Sequence, residues 1–153
     1  MLMIDRYSRQ TVFPSIGEDG QKKLLASRIA ILGLGALGTV TANNLARSGV
    51  GYLRLIDRDY VEASNLQRQV LFDENDAKEE LPKAEAAQRH LSHINSEIAL
   101  EAIVSDVNSS NIVNLIKDID IVIDATDNFE TRMLLNEACL VHSIPWIYGG
   151  AIG

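Results

Sequence analysis

The stretch "SRIAILGLG", Ser27 to Gly35, runs directly into "ALGTVTANNLARSG", Ala36 to Gly49. A short apolar run bounded by glycine reads as a buried strand. The next stretch carries apolar or small residues at helical spacing, and Gly49 is a natural C-terminal stop. The turn that joins them is Gly33-Leu-Gly35-Ala-Leu-Gly38. Gly33 permits the tight turn, Gly35 lets a phosphate approach the backbone, and Gly38 lets helix and strand pack closely. The helix start, at Ala36, offers free N–H groups and a partial positive charge to an anion. A nucleotide site is the reading this context favours. The bland alternative is a tight strand–helix turn that holds nothing.

The rest of the chain repeats the alternation. Strands are expected at Tyr52–Asp57, in "IALEAIVSDV", at Ile119–Thr126 and in "IPWIYGG". Helices are expected at Leu81–Asn95, with Pro82 near the first turn, in "SSNIVNLIKD" behind a serine cap, and in "NFETRMLLNEACLVHS". A leading helix, "GEDGQKKLLAS", precedes them all. This pattern predicts an α/β, Rossmann-like fold: a mainly parallel sheet with helices on both faces, forming one domain over residues 1–153. Ligands of such sheets sit beyond the carboxyl ends of the strands. The loops after Leu32, Ile56, Ile123 and Tyr148 are therefore the ones to read.

Composition excludes several functions. With 14 basic and 21 acidic residues the formal charge is −7, a poor match to nucleic-acid phosphates or an anionic membrane surface. No run approaches the roughly 20 apolar residues that span a bilayer. The first ten residues, "MLMIDRYSRQ", do not resemble a signal peptide. A single cysteine, Cys139, rules out an internal disulfide or a multi-cysteine metal site within these residues. A cytoplasmic protein is the simplest expectation.

The second loop begins at Asp57, 24 residues after Gly33, where a carboxylate accepts hydrogen bonds from ribose hydroxyls. Asp59 is a more ambiguous neighbour. Beyond them lies "SNLQRQ", with the Ser64 hydroxyl, the Asn65 and Gln67 amides and the Arg68 guanidinium. A dinucleotide needs little from this segment, whereas a triphosphate needs cations. Arg68 can fork onto phosphate oxygens, and Lys83 adds a point charge near a helix start. Taken singly, each could be a solvated surface charge. The third loop is "DATDN", Asp124 to Asn128. Magnesium is commonly held by one or two carboxylates plus substrate phosphates. Asp127 is the metal candidate and Asp124 the second, with helix capping the competing role for Asp127.

The segments "RYSRQ", "GLGALG", "LIDRDYVEASNLQRQ", "PKAEAA" and "DATDN", in this order, resemble the ThiF/MoeB/HesA family of ubiquitin-activating-enzyme-like adenylyltransferases. The likeness runs from about Arg6 to Gly153. It implies ATP and Mg²⁺ as cofactors, and a small ubiquitin-like sulfur-carrier protein as partner. The carrier's C-terminal glycine carboxylate would attack the α-phosphate, with thiamine or molybdopterin synthesis downstream. It further implies that Asp57 holds the ribose, that Asn65, Arg68 and Lys83 hold phosphates, and that Asp127 positions Mg²⁺ beside Asn128. Arg9 matches an arginine that reaches the neighbouring subunit's γ-phosphate, which implies a homodimer.

Ala36 stands where many relatives carry another glycine. Cys139 reads as a core residue, and His90, His93 and His142 as helix-surface residues. The end at "IPWIYGGAIG" suggests a fragment of a longer chain, inactive or weakly binding alone, with any zinc held in a C-terminal continuation. Two alternatives stay open: an NAD(P)-binding oxidoreductase domain, which shares the glycines and Asp57, and a non-catalytic dimerisation module.

Overall fold

The computed structural model describes residues 6–150, so residues 1–5 and 151–153 lie outside the described residues. A one-turn helix α1 (Ser8–Thr11) leads into α2 (Gly17–Ala26), β1 (Arg28–Leu32) and α3 (Ala36–Ser48). Then come β2 (Tyr52–Asp57), a 3₁₀ turn (Ala63–Asn65), α4 (Glu74–Lys78), α5 (Lys83–Ile94) and β3 (Ala99–Val104). The chain continues through α6 (Ile112–Leu115), β4 (Ile121–Asp124), α7 (Phe129–Val141) and β5 (Trp146–Tyr148). The five strands pair in parallel in the order β3-β2-β1-β4-β5. The order reverses at β1, and this places a crevice above the carboxyl ends of β1 and its neighbours.

Strand alternation sends side chains to two cores. Ile29, Ile31, Leu53 and Leu55 point to one face, under α3 and α5. Ala30, Leu32, Ile56 and Val122 point to the other, under α6 and α7. Small residues set the close approach on the first face: Ala42 and Ala46 of α3 and Ala84 and Ala87 of α5 are fully buried. Gly49, at φ +83°, ends α3 as expected. Cys139 is buried in the second core, and burial pushes its thiol pKa up, in line with a packing role.

Two expectations need correction, and one helix was missed. The run "SSNIVNLIKD" forms only the single turn α6, and no serine caps it. Asn108 and Asn111 instead bond nearby backbone N–H groups, and Asp118 at φ +59° turns the chain away. Helix α5 is shorter than the expected Leu81–Asn95, and Pro82, near its first turn as expected, is the N-cap, with a non-helical ψ of 135°. Helix α4 was not expected at all, although Asp73 and Asp76 form a reciprocal capping box at its start, a pattern visible in the sequence. Among the described residues no helix is long and apolar enough to cross a membrane.

Candidate functional site

The loops at the carboxyl ends of the strands enclose a cleft of about 990 Å³. Its floor is the β1–α3 turn. Gly33 there has φ +87°, and a Cβ would stand 2.8 Å from the carbonyl oxygen of Ala125. A Cβ on Gly38 would overlap the carbonyl oxygen of Gly33. These two glycines let the turn, the helix and the "DATDN" loop stack against one another. Helix α3 has Gly35 as its N-cap and no side-chain cap. Its first N–H groups, at Ala36 and Leu37, therefore border the cleft without an intrahelical acceptor.

Asp57 closes one side. Its Oδ2 accepts the Leu34 N–H at 2.6 Å, and its Oδ1 accepts the Asp59 N–H at 2.8 Å. A carboxylate has further lone pairs, so these bonds aim it without exhausting it. Asp59 faces Lys83, with Nζ to Oδ2 at 3.4 Å, and the Asp59 carbonyl accepts the Lys83 N–H at 2.9 Å. Lys83 is only 7% exposed, and this carboxylate is its charge partner among the described residues.

The "SNLQRQ" segment divides. Asn65 is buried and lines the cleft, its Oδ1 fastened to the Glu62 N–H at 3.2 Å. Arg68 also lines the cleft, and its one side-chain hydrogen bond among the described residues is to the Ser64 carbonyl at 3.1 Å. Ser64 and Gln67 are exposed and border no part of the cleft. Gln69 takes the position expected of Gln67. It is 3% exposed, lines the cleft, and its Oε1 has no hydrogen-bond partner. An unpaired buried amide oxygen costs on the order of 1–3 kcal/mol unless something fills the space beside it. The second glutamine of the motif was the available sign.

The "DATDN" loop also divides. Asp124 is 0% exposed and fully engaged. Its Oδ1 accepts from the Thr126 N–H and hydroxyl at 2.9 and 2.7 Å, and its Oδ2 accepts from Arg132 Nε at 3.1 Å. It is a structural anchor, and the second metal candidacy falls. Asn128, not Asp127, caps α7, accepting the Glu130 and Thr131 N–H groups at 2.9 and 3.3 Å. Asp127 borders the cleft, exposed, with no side-chain hydrogen bond or ion pair among the described residues. Arg132, which the sequence did not single out, lines the cleft beside it.

Arg9 is elsewhere. The neighbouring Gln10 bonds the Ser48 carbonyl at 3.0 Å, at the far end of α3. Thirteen helical residues, about 20 Å of helix, separate that end from Gly35. His90 pairs with the buried Asp76 at 2.7 Å and is not the free surface histidine expected, but it too is remote from the cleft.

The ThiF family profile matches residues 7–153. The chain is 52% identical over 151 residues to the sulfur carrier protein ThiS adenylyltransferase of Bacillus subtilis, covering 99% of this chain and 45% of that protein. It is 44% identical over 147 residues to the molybdopterin-synthase adenylyltransferase of Haemophilus influenzae, covering 96% of this chain and 60% of that one. The crystal structure of Escherichia coli MccB with ATP superposes with a TM-score of 0.87 at 34% identity, over 96% of this chain and 44% of that one. The chain thus spans about half the length of the relatives it matches.

Proposed function

This chain belongs to the ThiF family, and from that premise we propose that it supplies the ATP site of an enzyme that adenylates the C-terminal carboxylate of a sulfur-carrier protein. The observation that carries the reading is the convergence of cations, a free carboxylate and a helix start on one cleft. The uncapped α3 start, Arg68, Lys83, Asp127 and Gln69 all border it, beside an aimed Asp57. A dinucleotide would leave Arg68, Lys83 and Asp127 without a task.

In this reading Asp57 accepts from ribose hydroxyls, and the α3 N–H groups with Asn65 and Arg68 hold phosphate oxygens. The carrier carboxylate attacks the α-phosphorus. A new carboxylate–phosphorus bond forms, the bond to the bridging oxygen breaks, and pyrophosphate leaves with the electron pair. Negative charge grows on the phosphoryl oxygens, and Lys83, held dry and pointed by Asp59, stabilises it. The protein's task is positioning and charge, so no nucleophile–base pair is required. A free carboxylate facing a phosphate cleft fits Mg²⁺, and Asp127 would hold it; the ion would neutralise phosphate charge. Arg9 cannot reach the cleft of its own chain from the far end of α3, which supports its supply by a second copy in a homodimer.

ATP–pyrophosphate exchange with the intact protein, Mg²⁺ and carriers ending in Gly-Gly tests the proposal. Label enters ATP only with the cognate carrier if it holds. ATP binding without exchange from any carrier points to a non-catalytic module.

A further inference from the structure

Asp127 projects from a four-residue link between the end of β4 and the start of α7, yet that link is tied down from one side chain. Arg132, one turn into α7, donates Nε to Asp124 Oδ2 at 3.1 Å and Nη2 to the Thr126 carbonyl at 2.9 Å. Its guanidinium lies 3.8 Å over the ring of Tyr148 on β5. Asp124 is wholly buried and uses its other oxygen on Thr126. One cation therefore grips the carbonyl of the peptide that leads into Asp127, the strand end before it and the neighbouring strand.

We propose that Arg132 is a positioning residue for the metal-binding carboxylate: its fork onto Asp124 and the Thr126 carbonyl orients the Thr126–Asp127 peptide so that Asp127 faces the cleft. The inference rests on the ATP–Mg²⁺ reading of that cleft. Arg suits the position because a planar guanidinium can bond a carboxylate and a carbonyl at once while stacking on an aromatic face. Lysine offers a point charge and no such fork. Partners that orient a metal ligand typically govern metal affinity by ten- to a hundredfold.

The test uses Mn²⁺ as the probe, titrated by electron paramagnetic resonance on the intact protein with ATP present. Metal-free ATP binding is measured by calorimetry in parallel. Asp127→Ala and Arg132→Ala are each expected to weaken ATP-dependent Mn²⁺ binding about tenfold or more, with metal-free ATP binding within about twofold of wild type. Arg132→Lys, which keeps a charge against Asp124, is expected to fall between, and it carries the test if Arg132→Ala does not fold. Mn²⁺ binding lost in Asp127→Ala but retained in the Arg132 variants overturns the inference and leaves the functional reading standing. Equal losses of Mn²⁺ and metal-free ATP in the Arg132 variants overturn it too, since Arg132 would then serve the cleft as a whole. Mn²⁺ binding unchanged in Asp127→Ala removes the metal assignment itself, and the inference with it.

Discussion

The two ends of the parallel sheet differ in how completely their polar side chains are answered. At the amino-terminal end, a cluster of charged and polar side chains answers itself. Arg54 donates Nε to Glu101 at 2.6 Å and Nη1 to the Leu115 and Lys117 carbonyls at 2.8 and 2.9 Å. The Tyr52 hydroxyl bonds Glu101, Arg28 stacks 3.8 Å over the Tyr52 ring, and Asp120 accepts the Arg28 N–H at 2.8 Å. At the carboxyl end, Asp127 has no side-chain partner among the described residues, and Arg68 bonds only a neighbouring carbonyl there. The Gln69 oxygen is orphaned. A closed network stabilises the fold, since each member satisfies another. An open one leaves binding capacity to something outside the chain. The asymmetry, more than any single residue, marks the functional end.

The largest effect should come from the open end. Lys83→Ala is expected to slow adenylation about 10²- to 10³-fold, because one preorganised cation is lost where charge develops. Its melting temperature should change little, and exchange kinetics beside a thermal scan read both. Gly38→Ala should do the reverse. A Cβ colliding with the Gly33 carbonyl forces a backbone shift and costs about 3 kcal/mol in denaturant unfolding. It would show that packing and binding are superposed at this end. Arg54→Ala should cost about 2 kcal/mol by leaving two α6-end carbonyls without their donor and Glu101 without its cation, with ATP affinity unaltered by calorimetry. A loss of ATP affinity there would break the division between the two ends.

A smaller effect concerns pH. The Tyr52 hydroxyl, then Arg54, hold the Glu101 pKa below its ordinary value. A depressed carboxylate pKa contributes stability above the ordinary value, and that stability is lost as pH falls through the folded value. Glu101 is 43% exposed, so solvent limits the gain to under about 1 kcal/mol. Glu101→Gln should therefore melt lower than wild type near neutrality, and the gap should close in acid. The smallest effect is expected from Gln67→Ala, which should change the exchange rate less than about twofold and stability within about 0.5 kcal/mol. A large loss there would show that the segment rearranges when it binds.

Much of this molecule was legible from local pattern. The alternation of apolar runs with helical periods specified the parallel sheet and its two helical layers. The glycine turn specified where α3 begins, and the place of Asp57 follows from its strand. These are short-range properties: strand period, helix period and positive-φ turns depend on neighbours in the chain. The motifs likewise pointed to the family, since order along the chain is itself a sequence property.

Tertiary structure decided what depended on direction or distance. Gln67 and Gln69 are equivalent by composition, yet the turn anchored by Asn65 sends one outward and the other into the cleft. Asp124 and Asp127 are both strand-end acids, yet Arg132 engages only the first. Asn128 rather than Asp127 caps α7, which leaves Asp127 uncommitted. Arg9 is near the start of the sequence, but the bond from Gln10 to Ser48 places it a helix length from the cleft. In each case the deciding partner comes from the turn's own three-dimensional path or from another element, and no local period encodes it.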